Sequence, residues 1–214
     1  MKLLSSIFFA VMFCALVVCG ADSKPLYQND FEKAEIGKVP DEFLVLDGGF
    51  AVKEENGNKF LELPGAPLDS FGVLFGPTEK ENLAVSARIF GTSKGRRAPT
   101  FAVALGGVGG YKLQVSPGKK TLELYKGDDL KKSADFDWQS GKWTTLDLQI
   151  IKAKDGEWKV QGKAWNEGTV EPAEWKIEST EAEQPPSGRP AIFGSPYATT
   201  PIRYDDLKVA TVGP

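Results

Sequence analysis

Residues Trp143-Thr144-Thr145-Leu146-Asp147-Leu148-Gln149-Ile150-Ile151, and after a short break Glu157-Trp158-Lys159-Val160-Gln161-Gly162-Lys163-Ala164-Trp165, decide the fold. In the first run Leu146, Leu148 and Ile150 alternate with Thr145, Asp147 and Gln149. In the second, Trp158, Val160 and Ala164 alternate with Lys159, Gln161, Lys163 and Trp165. A side-chain period of two belongs to a strand with one buried and one wet face. The intervening Lys154-Asp155-Gly156 supplies turn chemistry, so the two runs read as a hairpin.

The same short alternating runs recur at 43–46, 60–63, 83–90, 100–105, 111–115, 121–125, 191–193 and 202–209. They are rich in Val, Ile, Leu and aromatic residues, and turn clusters such as Glu55-Asn56-Gly57-Asn58, Ser116-Pro117-Gly118-Lys119 and Lys126-Gly127-Asp128-Asp129 divide them. Helical periodicity is hard to find. Strands at such spacing predict an all-β fold, a sandwich or a barrel. Two acidic runs bracket it, Asn29-Asp30-Phe31-Glu32 and Tyr204-Asp205-Asp206-Leu207-Lys208-Val209, and both are expected where first and last strands meet. As neighbours along a strand, Asp205 and Asp206 are expected on opposite faces. Residues 178–190, with Pro185, Pro186 and Gly188, read as an exposed loop.

Residues 1–20 read as a signal peptide: Lys2 precedes an apolar run with few polar residues, and Gly20 and Ala21 are small. The run is short for a membrane span. Leu16-Val17-Val18-Cys19-Gly20 also resembles a bacterial lipoprotein box, with the bulky Val18 where that box carries a small residue. The expected product is secreted or periplasmic, alternatively a lipoprotein anchored through Cys19. Both cysteines, Cys14 and Cys19, lie in this segment, so residues 21–214 hold no disulfide. Loss of Lys2 leaves 25 basic against 29 acidic residues, net −4, without blocks of one sign. That balance argues against nucleic acid as a partner. No composition shift divides 21–214, which is read as one domain.

Asp30-Phe31-Glu32 is followed by Gly37 and Pro40, Gly110-Tyr111-Lys112-Leu113 by Leu122-Glu123-Leu124, Trp143 by Leu146 and Leu148, and Trp158-Lys159-Val160 by Lys163-Ala164-Trp165; Pro172 with Trp175 and the closing Tyr204-Asp205-Asp206-Leu207 complete the series. In this order the pieces resemble the concanavalin A-like lectin and glucanase sandwiches, in particular small secreted laminin-G-like domains of bacterial type. The resemblance implies a jelly-roll sandwich with adjacent first and last strands. It also implies sugar sites across the concave sheet or at its rim.

Glycanases of that superfamily carry alternating acids along one strand, a Glu-x-Asp-x-x-Glu run. This chain has none. The absence of histidine removes the usual general base, Ser-His-Asp arrangements and histidine-bound metals. The Gly106-Gly107-Val108-Gly109-Gly110 run has no Lys-Ser/Thr after it and reads as a turn, not a phosphate loop. The expectation is a non-catalytic module that binds glycan or another extracellular polymer. An atypical glycoside hydrolase or polysaccharide lyase, with Glu123 and Asp147 as first suspects, is the alternative, and an interaction module without small ligand is the second.

Calcium is the one cofactor with a physical case, as a structural ion held by Asp30, Glu32, Asp205 and Asp206, because it takes six to eight oxygen ligands. The polar sides of the strands place Arg88, Gln114, Tyr125, Gln149 and Trp165 as a sugar platform, on the condition that they share one sheet.

Overall fold

A computed structural model describes residues 24–66, 69–79, 81–153, 156–197 and 200–213. Residues 1–20, read from the sequence as a leader, with Cys19, and Lys154 and Asp155 of the expected turn lie outside the described residues. No helix among the described residues is long and apolar enough to cross a membrane.

The fifteen described strands are β1 Lys24–Asn29, β2 Leu44–Asp47, β3 Ala51–Glu55, β4 Asn58–Leu63, β5 Phe71–Leu74, β6 Leu83–Gly91, β7 Thr100–Leu105 and β8 Tyr111–Ser116. They continue as β9 Thr121–Lys126, β10 Asp129–Asp135, β11 Trp143–Lys152, β12 Trp158–Asn166, β13 Ile177–Glu181, β14 Ala191–Ser195 and β15 Ile202–Thr211. All pairings are antiparallel. One sheet runs β13-β12-β11-β6-β15-β4-β3, with β1 also on β15; the other runs β10-β9-β8-β7-β14-β5-β2. The fold is the expected all-β two-sheet sandwich.

The opening hairpin is present: Leu146 opposes Ala164, Leu148 opposes Gly162 and Ile150 opposes Val160. Leu146, Leu148, Ile150, Val85, Ile89, Val160, Leu61, Tyr204 and Val209 are buried on the inner face of the eight-stranded sheet. Val103, Leu105, Leu113, Val115, Leu122, Leu124 and Ile192 meet them from the seven-stranded sheet. Burying each such side chain contributes about 1.5–3 kcal/mol, and the described residues, which hold no cysteine, rely on it.

The two acidic runs meet as expected, with Asn29 opposite Leu207 and Gln28 opposite Lys208. β15 is long enough to take two partners on one edge: its first residues pair with β4 and its last with β1. Between them the register against β6 shifts, and Asp206 takes a positive φ of 49°. This bulge corrects one sequence expectation. The extra residue resets the alternation, so Asp205 and Asp206 both find partners, Asn58 and Arg88, along the same side of the sheet.

The 178–190 segment is also more structured than expected. Its first residues belong to β13, paired with β12, and Gly188 bridges Glu79. Gly106 and Gly107 adopt positive φ, and a Cβ on Gly188 would lie 2.5 Å from the Gly107 nitrogen. The glycine-rich turn therefore lets two backbones touch.

Candidate functional site

The five residues expected to form one platform divide between the two sheets. Arg88, Gln149 and Trp165 stand on the outer side of β6, β11 and β12; Gln114 and Tyr125 stand on the outer side of β8 and β9 in the other sheet. Period two shows which residues share a strand's face. It carries no information on which strands share a sheet, and that is why the grouping fails.

In the first group, Arg88 bonds Asp206 at 3.0 Å and Glu167 at 3.4 Å and lies 5.0 Å over the Trp143 ring, so protein groups occupy it. Lys163 stands between Trp165 and Trp175, 5.8 and 4.8 Å from their ring centres. Gln149 donates to the Gln161 side-chain oxygen at 2.7 Å.

The second group is the better platform. Register aligns Glu123, Gln114, Ala102, Phe193 and Gly72 as one rung across β9, β8, β7, β14 and β5. The next rung brings Tyr125, Lys112, Ala104 and Ala191 together. Alanines and a glycine keep the floor low, so the larger side chains lie on it. A Cβ built on Gly72 would fall 2.5 Å from two ring atoms of Phe193, which means that this ring occupies the space that Gly72 leaves open. The Lys112 ammonium sits 4.9 Å from the Tyr125 ring centre and 6.0 Å from that of Phe193. Burial holds its pKa below the ordinary lysine range, against the pull of Asp128 and Glu123. Among the described residues Lys112 has no ion pair. Ser70 and Ser195 hydroxyls, 2.7 Å apart, and Thr100 line the adjoining edge. The depression measures only about 30 Å³, so this is a flat, polar and aromatic surface rather than a pocket.

Glu123 anchors it. The carboxylate is 2 % exposed and accepts from Ser116 at 2.7 Å, Tyr125 at 2.8 Å, Lys119 at 2.9 Å and Thr121 at 3.2 Å. Burial alone raises its pKa, but the Ser116, Lys119 and Tyr125 hydrogen bonds outweigh it and hold the group below the usual glutamate range. An ionised acid with four donors is a fixed brace, ill-suited to donate a proton. It also lies on the opposite sheet from Asp147, so the two acids suspected of catalysis cannot act as a pair across one bond.

The four acids considered for calcium have protein partners. Asp30 accepts from the Glu32 amide, Glu32 from the Lys59 amide, Asp205 from Asn58 and the Asp206 amide, and Asp206 from Arg88. Among the described residues no group of three or more acids, His or Cys is placed to hold a metal ion. Gln28, Asn29, Asp30, Lys33, Asp206, Leu207 and Lys208 line an open groove of about 590 Å³.

Sequence reasoning missed Lys112, Glu123 as a brace, and Phe193. Alternation through 111–115 already sets Lys112 beside Gln114; nothing in the sequence brings Phe193 to them.

No family model and no curated protein matches the chain. Solved structures do. The Emp47p carbohydrate recognition domain superposes with a TM-score of 0.60 at 13% identity, over 89% of this chain and 97% of that one. Carbohydrate-binding module CBM66 from Bacillus subtilis gives 0.55 at 10% identity, over 79% and 96%. A structure from work on endo-acting O-glycanases of human gut microbiota gives 0.58 at 13% identity, over 89% and 100%. At these identities the likeness is one of fold, and the fold is the lectin-like, concanavalin A-type jelly-roll sandwich.

Proposed function

We propose that the outer face of the seven-stranded sheet binds glycan or another extracellular polymer without cleaving it. The observation that carries this reading is the Phe193 ring laid over Gly72, with Lys112, Gln114 and Tyr125 beside it. An aromatic face stacks on the apolar side of a sugar ring, and neighbouring amide, hydroxyl and ammonium groups bond its hydroxyls. The carbohydrate-binding neighbours support the same ligand class, and the laminin-G-like resemblance and export through the leader belong to this proposal. The glycanase likeness favours a hydrolase as second reading. Against it stand the fixed, ionised Glu123 and the separation of Glu123 from Asp147.

Glycan-array binding together with digestion of a polysaccharide panel is the test. Binding that falls about tenfold in Phe193→Ala and in Lys112→Ala, with no product released, is expected. Product release overturns the non-catalytic reading, and silence in both assays leaves an interaction module. Calcium at the junction of the terminal strands is a separate proposal: it requires a melting midpoint that rises with calcium and returns with chelator, and an unchanged midpoint ends it.

A further inference from the structure

A recess of about 150 Å³ lies on the other sheet, opposite the platform. Its floor is two adjacent rungs of three strands. Asp147, Ser86 and Lys208 form one, and Gln149, Ala84 and Ala210 form the other. Ser86, Ala84 and Ala210 are small, and that makes the depression. One wall is Trp175, from the connection between β12 and β13.

That wall is held from behind. Lys163 lies 4.8 Å from the Trp175 ring centre, pairs with Glu171 at 2.5 Å and donates to the Pro172 carbonyl at 3.1 Å. The Lys176 amide ties the segment to the Gly162 carbonyl. Inside the recess, Gln149 is oriented by a relay: its amide nitrogen donates to Gln161, whose own nitrogen donates to Glu178. The Gln149 carbonyl oxygen is thereby left as an acceptor. None of the hydrogen bonds or ion pairs among the described residues reaches the Asp147 carboxylate, although it is partly buried. The carboxylate remains accessible to solvent along the recess, so a ligand hydroxyl can replace water as its donor.

We propose that this recess is a second ligand site, which seats one neutral pyranose ring against Trp175, with ring hydroxyls bonded to Asp147, Gln149 and Lys208. Size sets the scale: 150 Å³ is about five times the ~30 Å³ share of one liquid water, room for a single ring and well below a drug-sized pocket. Charge sets the class. An anionic ligand meets Asp147, and a cationic one meets Lys208 with Lys163 nearby; a neutral ring with adjacent hydroxyls uses both signs. A carboxylate accepts two hydroxyls at once, an ammonium donates to a third, and the indole stacks on the ring's C–H face. A terminal unit of a glycan and a free monosaccharide share this chemistry.

NMR titration of the protein with a panel of methyl pyranosides tests the site, read on the Trp175 indole N–H, which is assigned as the signal missing in Trp175→Phe. At least one member should shift that signal saturably with millimolar affinity. Asp147→Asn keeps the shape and removes the charge. It should weaken binding about tenfold, while Lys112→Ala, on the platform, should leave it unchanged. Binding should also weaken from about pH 8 to about pH 5, because burial pushes Asp147 up to about 6, with Lys163 and Lys208 opposing and Glu171 adding to the rise. Chains with one end capped by a bulky aglycone, compared with the monosaccharide, separate recognition of a chain end from recognition of the free sugar. A Trp175 signal that no member moves overturns the proposal. So does unchanged affinity in Asp147→Asn with native spectral dispersion. Failure here leaves platform binding untouched, since that is read at Phe193 and Lys112.

Discussion

At the scale of single residues, Glu123 is the most constrained acid of the platform. Four donors converge on it, and a hydrogen bond to a charged group contributes roughly 1.5–3 kcal/mol net of the water it replaces, though bonds that share one acceptor do not add. Glu123→Ala leaves the buried Ser116 hydroxyl without its acceptor, and a loss of about 2–3 kcal/mol is expected. The pH dependence has a definite sign. The folded pKa lies below the ordinary 4.5, so the native state favours the ionised form, and its contribution is complete above that value. It is lost as pH falls from about 4.5 through the lower folded value. Chemical denaturation of the native protein and of Glu123→Ala at neutral pH and near pH 3 checks both points: the gap between the two should be wide at neutral pH and narrow in acid. A gap independent of pH would show that Glu123 acts through packing alone.

At the scale of strands, legibility followed burial. β7 was legible to the residue at 100–105 because it is an apolar run buried on both faces, and the β11–β12 hairpin to within one residue at its ends because β11 alternates buried with half-exposed positions and β12 is buried along most of its length. β10 was not. Its sequence Asp-Leu-Lys-Lys-Ser-Ala-Asp is exposed almost throughout, so as an edge strand it has no apolar face to announce it. β5, Phe-Gly-Val-Leu, was missed for a different reason, since a glycine interrupts its alternation. That same Gly72 is what makes room for Phe193. The platform was thus half legible: Gln114 and Tyr125 follow from period two, whereas Phe193 depends on β14 lying between β5 and β7. Gly72→Ala makes this testable. The new methyl would sit 2.5 Å from the Phe193 ring, which can swing away as a side chain while the backbone stays in place. The melting midpoint should move by less than about 4 °C, the equivalent of roughly 1 kcal/mol in a domain of this size, while polymer binding falls as far as in Phe193→Ala. A large drop in midpoint with binding retained would place the role of Gly72 in the sheet instead.

At the scale of the molecule, the meeting of the two acidic runs governs how the sandwich closes. Lys24 pairs with Thr211, so β1 opens beside the end of β15. β1 does more than mark that end. It covers the backbone groups of the second half of β15, and its Tyr27 packs on Phe43 and Phe75 at 6.4 and 5.7 Å between ring centres. Removing β1 therefore uncovers a paired edge and opens an aromatic cluster, whereas reconnecting it preserves both. A circular permutant that joins residue 213 to Lys24 by a short glycine-serine linker, with new ends at the exposed Asn56-Gly57 hairpin turn, keeps every pairing of β1 with β15. It should fold with a midpoint within about 4 °C of the parent, because closing a short loop costs little and the opened turn carries no core side chain. Deletion of 24–29 should instead give a chain that melts far lower or aggregates, since an uncovered strand edge templates pairing between molecules. Thermal melts with size-exclusion profiles distinguish the outcomes, and a deletion as stable and monomeric as the permutant would show that β1 is an ornament on a sheet already closed by β4 and β6.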